Sequence, residues 1–83
     1  MGQIEELRDR IDAIDRKIVK LLEKRVGIAR NIGKIKRGEG LKISDDKREK
    51  EVIENVSNSN LDKNFVKKTF RLIIEYCKNE EQK

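Results

Sequence analysis

The sequence has no proline, no histidine, no tryptophan and a single cysteine, and aromatic residues make up only 4% of its 83 positions. Each absence closes off a class of protein. With Cys77 alone, no intrachain disulfide can form, and without histidine the usual metal-ligand clusters are missing as well. The lack of proline removes the commonest helix breaker, so nothing forbids very long helices. There is no signal-peptide core at the N-terminus and no apolar run of membrane-spanning length, which leads us to expect a soluble, cytoplasmic protein.

What is present is charge and aliphatic residues. Charged residues reach 45%, a fraction met in disordered chains, but the aliphatic residues recur with a helical period instead of being scattered. The periodicity decides for a folded, all-α chain. A net charge of +5 favours anionic partners, from nucleic acid to small carboxylates or phosphates, without choosing among them. Residues 1–83 are expected to form one domain. A domain so small buries little of its surface, and with disulfides and metals excluded, oligomerisation is the remaining source of stability.

From Ile4, alternating steps of three and four reach Leu7, Ile11, Ile14, Ile18, Leu21, Arg25, Ile28, Ile32 and Ile35, so nine of ten seam positions are aliphatic. This spacing predicts one helix from Ile4 to about Arg37, about 50 Å long at about 1.5 Å per residue. Gly27 and Gly33 fall inside it, where a glycine often marks a close packing contact. The stretch "RGEGLKI" at 37–43 breaks the period. "SDD" at 44–46 supplies an N-cap and first-turn acids for a short second helix over 45–57. After "SNSN" at 57–60, Asp62 is placed to cap a third helix with Val66, Phe70, Ile73, Ile74 and Cys77 on one face. Two short partners cannot clothe so long a first helix, and its coiled-coil step calls for a second chain.

Arg25 is the anomaly in the seam. A polar residue there can simply set register, but arginine cannot shed its charge, and burying it unpaired costs several kcal/mol, of the order given for buried ions. The residues one turn away, Leu21, Leu22, Ile28 and Ala29, offer no anion, which suggests an external one. Lys36 returns to nearly the same face about 16 Å along the axis and could close on the same small molecule, although alone it reads as a helix-end lysine. Asp45, Arg48 and Glu49 share one face of the second helix, where the plain reading is a surface ion-pair cluster. Cys77 is most simply a small buried residue, and Glu81, by position, a fraying terminus. Arg8 lies about 25 Å from Arg25 on the same helix, so one small ligand reaches both only if an antiparallel partner chain supplies Arg8.

Taken together, "LRDRIDAIDRKIVKLLEKRVGIARNIGKIK" at 7–36, "DDKRE" at 45–49 and "FRLIIEYC" at 70–77 resemble the all-helical class of chorismate mutases. The elements L-R, I-D-x-I-D, L-L-x-x-R, G-K-x-K and D-x-x-R-E occur in that family's order and spacing, over nearly the whole chain. The resemblance implies an intertwined helical homodimer of three-helix chains. It also implies a cofactor-free isomerase that converts chorismate to prephenate in phenylalanine and tyrosine biosynthesis. Carried over, Arg25 and the partner's Arg8 hold the substrate carboxylates, while Lys36 reaches the ether oxygen and a carboxylate. Glu49, with the backbone near Asp45, takes the ring hydroxyl, and Arg48 lines the same pocket.

Two positions depart from the commoner family pattern. Cys77 stands where members often carry a small polar residue, and Glu81 where many carry glutamine. A glutamine amide donates to the ether oxygen, whereas a carboxyl does so only when protonated. Three other readings stand beside this one. A basic helical dimer that binds nucleic acid accounts for the charge but not for Arg25, and the basic residues are interspersed with 16 acids. A coiled-coil adaptor accounts for the seam only, and an isochorismate-type lyase shares the fold.

Overall fold

The structure, a computed structural model, describes residues 2–83. Three helices follow in order: α1 over Gln3–Gly38, α2 over Asp46–Val56 and α3 over Lys63–Glu81. No strand occurs among the described residues. The chain measures 57 × 24 × 14 Å, its long dimension set by α1. α3 packs against the C-terminal half of α1 on one side and against α2 on the other.

Local chemistry explains where the helices stop and start. At the end of α1, Gly40 has φ +68°, a conformation that suits glycine, and the Leu41 and Gly40 amides donate to the Lys36 and Arg37 carbonyls at 2.7 and 3.3 Å. This is a Schellman closure, and it turns the chain back toward α2. The N-cap of α2 is Asp45, one residue later than "SDD" led us to place it. Its Oδ1 accepts the Arg48 amide at 3.0 Å, an amide that would otherwise lack an intrahelical partner. Asp62 occupies the N-cap position of α3, yet its side chain accepts no capping hydrogen bond, so the sequence signal located that boundary without describing its chemistry.

The core is thin. Ala29, Val66 and Cys77 are its buried apolar residues, joined by the buried Gly33 and Glu80. All nine aliphatic seam residues of α1, from Ile4 to Ile35, stay 42–65% exposed within one chain. Of the glycines inside α1, only Gly33 meets a neighbour. A Cβ built there would lie 2.7 Å from the Glu81 Cα and 2.8 Å from its carbonyl carbon, whereas one at Gly27 meets nothing. Because those contacts are backbone atoms, they cannot swing aside, and Gly33 is what allows the last turn of α3 to seat on α1.

Candidate active site

α1, the turn after it, α2 and α3 enclose a cavity of about 380 Å³, within the range usual for small-molecule sites. Arg25, Lys36, Asp45, Arg48, Glu49, Cys77 and Glu81 all line it, and Ala29 and Ile32 lie between the two cations of α1. Seven of the eight residues expected at a site are thus gathered by one chain. The eighth, Arg8, sits on the exposed N-terminal half of α1 and does not reach the cavity.

Arg25 is half-buried. Its Nη1 donates to the Cys77 sulfur at 2.9 Å, and among the described residues no carboxylate lies within ion-pair distance of it. A thiol is a weak acceptor, so this contact orients the guanidinium without neutralising it. Cys77 is buried, as its apolar-face position implied, but its sulfur also has this polar role.

Lys36 is held at two levels. Its carbonyl takes part in the Schellman closure, and its Nζ donates to the Ile43 carbonyl at 3.0 Å while standing 3.5 Å from Glu81 Oε1. Glu81 therefore belongs to the last turn of α3 and faces the cavity, contrary to the fraying that its place near the end of the sequence suggested. Three contacts seat that turn. Gly33 makes room for it, Arg37 Nη1 donates to the Glu81 carbonyl, and the buried Glu80 accepts from Arg30 at 2.8 Å and pairs with Lys83 at 2.9 Å. The hydrogen bond from Lys83, and next the one from Arg30, hold the Glu80 carboxyl below the usual carboxylate range despite its burial.

On α2, Asp45 is engaged as the helix cap, and Arg48 reaches Glu51 at 3.6 Å on the solvent side. Glu49 pairs with Lys78 of α3 at 3.0 Å. Lys78 lines the cavity and was not anticipated, although its position offered a signal. It follows Cys77 directly and precedes Glu81 by three residues, which puts it on the α2-facing edge of the same surface. The hydrogen bond to Glu49 raises its pKa above the ordinary lysine value. One chain thus presents four cations, Arg25, Lys36, Arg48 and Lys78, and three carboxylates, Asp45, Glu49 and Glu81. No group of three or more potential metal ligands is present among the described residues, and no helix is long and apolar enough to cross a membrane.

Comparison with known proteins places this arrangement. The family model described as chorismate mutase type II matches residues 7–82, a span that contains every residue just named at the cavity. The chain belongs to the type II chorismate mutase family. Its reaction class follows: an isomerase that converts chorismate to prephenate, on the route to aromatic amino acids. A chorismate mutase of Methanocaldococcus jannaschii is 35% identical over 92% of this chain and 81% of its own length. A bifunctional chorismate mutase/prephenate dehydratase of Aquifex aeolicus is 33% identical over 100% of this chain, which matches only 25% of that longer protein. Among solved structures, a conserved hypothetical protein from Pyrococcus furiosus superposes with a TM-score of 0.83 at 37% identity, covering 98% of this chain and 100% of that one. Membership does not favour the nucleic-acid, adaptor or lyase readings.

Proposed function

We propose that two copies of the chain pair along the bare α1 seams and that each cavity is completed by Arg8 of the partner subunit. The carrying observation is the convergence of Arg25 and Lys36 on one cavity beside an aliphatic seam that a single chain leaves exposed. A coiled-coil step with unpartnered aliphatic residues is the pattern that a second helix covers. In an antiparallel pair, the N-terminal half of one α1, with Arg8, approaches the C-terminal half of the other.

The rearrangement is pericyclic and intramolecular, so it calls for positioning and electrostatics and for no nucleophile. Arg25 and the partner's Arg8 grip the two carboxylates of the dianion and hold it in the folded, chair-like conformer, which removes a conformational cost from the barrier. As the carbon–oxygen bond breaks, the ether oxygen gains negative charge. Lys36, preplaced by the Ile43 carbonyl, stabilises that state more than the ground state. Glu49 accepts the ring hydroxyl beside the Asp45 backbone, and Arg48 borders the same pocket. A rate gain of about 10⁶ corresponds to a barrier lowered by about 8 kcal/mol, which orientation and one desolvated cation can supply.

Glu81 faces the same oxygen from the last turn of α3. Protonated, it donates to the ether oxygen as a glutamine would. Ionised, it counts twice against the reaction, because it repels the developing charge and competes for the Lys36 ammonium 3.5 Å away. The test of the whole reading is loss of chorismate absorbance with purified protein, abolished in Arg25→Ala with helicity retained. A protein that leaves chorismate unchanged, or an Arg25→Ala variant with undiminished turnover, overturns it.

A further inference from the structure

Lys78 is the charged cavity residue to which the reaction above gives no part. Its Nζ lies 3.0 Å from Glu49 Oε2, and both side chains are about one-third exposed, 31% and 33%. The pair joins α3 to α2 at the boundary between the cavity and an open groove, where Lys63, Lys67 and Arg71 of α3 face Asp46, Lys50 and Glu54 of α2. Glu49 and Lys78 line both hollows, so the contact is well placed to act on a ligand as well as to tie the helices.

Charge balance shows what it would do there. The substrate carries two negative charges, and a third carboxylate facing it should weaken binding unless its own charge is offset. Without Lys78, the cavity of one chain holds three cations against three carboxylates and is neutral. With it, and with Arg8 of the partner subunit, five cations face three carboxylates, an excess that matches a dianion. The geometry adds a second constraint. Lys78 engages Oε2 of Glu49, which leaves Oε1 as the oxygen for a hydroxyl donor.

We propose that Lys78 is a positioning and charge-balancing residue: it fixes the Glu49 carboxylate so that one oxygen accepts the substrate's ring hydroxyl, and it cancels the repulsion between that carboxylate and a dianionic substrate. The proposal rests on the role given above to Glu49. The raised pKa of Lys78, caused first by its hydrogen bond to Glu49 and aided by Glu75 and Asp46, keeps it cationic throughout the neutral range. The other charged groups at the contact are Asp45 and Arg48 on α2 and Glu81 on α3.

The experiment is a steady-state double-mutant cycle on the intact protein with chorismate, using Lys78→Met, Glu49→Gln and the pair, with Lys78→Arg as the conservative variant. Lys78→Met is expected to raise KM about five- to tenfold, with a smaller fall in kcat, because repulsion of the dianion is felt in the bound ground state as well as in the transition state. In the Glu49→Gln background, the same substitution should barely move KM, since no uncompensated charge remains. Lys78→Arg should restore KM to within about twofold of the parent, a guanidinium being an equally good partner for the carboxylate. If Lys78 were only a strut between α2 and α3, Lys78→Met would lower the unfolding midpoint and leave KM in place, and that result overturns the proposal. Equal KM shifts from Lys78→Met in both backgrounds overturn it too. If Glu49→Gln alone leaves kcat/KM intact, it is the assignment of Glu49 that fails, which separates the two outcomes.

Discussion

From Gly2 to Leu21 every residue of the chain except Ala13 is exposed, whereas from Leu22 to Lys36 Ala29 and Gly33 are buried and Leu22, Arg25, Val26, Gly27 and Lys36 are half-buried. Both stretches belong to α1, and both carry the seam of aliphatic residues at three-four spacing. The difference lies in a second set of positions. Leu22, Val26, Ala29 and Gly33 form a further row on the C-terminal half, narrowing from branched aliphatics to alanine and glycine as α3 draws closer. The N-terminal half has no such row, and charged residues fill the corresponding faces. One half therefore has a neighbour in its own chain and builds a cavity, while the other presents only its seam. The lesson is that apolar periodicity states that a helix will be covered, and the size of the flanking residues states by what and how closely.

The largest expected effect tests whether the two halves serve each other across chains. Arg8→Ala and Arg25→Ala should each lower kcat/KM by at least about a thousandfold, the size expected when a charge-assisted carboxylate grip is lost together with its positioning. Mixing the two inactive proteins and allowing exchange should restore about a quarter of parental activity, because half of the random dimers are mixed and each mixed dimer has one intact site. Mixtures that stay inactive while sedimenting as dimers would show that Arg8 has no part in the partner's cavity.

A smaller effect contrasts two glycines of α1, Gly33 and Gly27. Gly33→Ala is predicted to destabilise the protein by about 1–3 kcal/mol through overpacking against the Glu81 backbone and to reduce kcat by displacing the last turn of α3. Gly27→Ala, where an added Cβ meets nothing, should raise the unfolding free energy by about 0.5–1 kcal/mol through backbone entropy, with activity unchanged. Denaturant titrations beside steady-state kinetics measure both.

Next is the carboxyl group of Glu81. Glu81→Gln is expected to raise kcat/KM for chorismate, since the amide donates to the ether oxygen and places no carboxylate beside Lys36. A Glu81→Gln variant no faster than the parent in steady-state kinetics removes the contact of residue 81 with the ether oxygen from the mechanism.

The smallest effect concerns the neighbouring carboxyl, Glu80. Its folded pKa lies below its ordinary value of 4.5, first through Lys83 and then through Arg30. The stability it contributes is therefore complete above 4.5 and is lost as pH falls from there through the lowered folded value. Glu80→Gln should accordingly narrow the difference in unfolding midpoint between neutral and acid solution, measured by circular dichroism.

Much of this protein is legible without coordinates. Apolar spacing and cap residues announced both ends of α1 and α2 and the start of α3 to within a residue, but not the end of α3, because helical periodicity is a local property that the aliphatic residues express at every turn. Arg25 stood out for an equally local reason: a permanent charge in an aliphatic row requires an anion. The gathering of Arg25, Lys36, Asp45, Arg48, Glu49, Cys77 and Glu81 around one space was anticipated through the resemblance to a family, and on spacing alone Glu81 looked like a loose end. Lys78 escaped notice, since a lysine next to a buried cysteine resembles any solvated lysine until α2 brings Glu49 to it. The sequence by itself determined helix identity, the bare seam and the misplaced guanidinium, all of which depend on residues within a few turns of one another. Only the tertiary structure decided that Cys77 supports Arg25, that Gly33 admits Glu81 and that Lys78 answers Glu49. Those contacts join residues up to 52 positions apart in the chain, and their distances are set by how closely one helix can approach another.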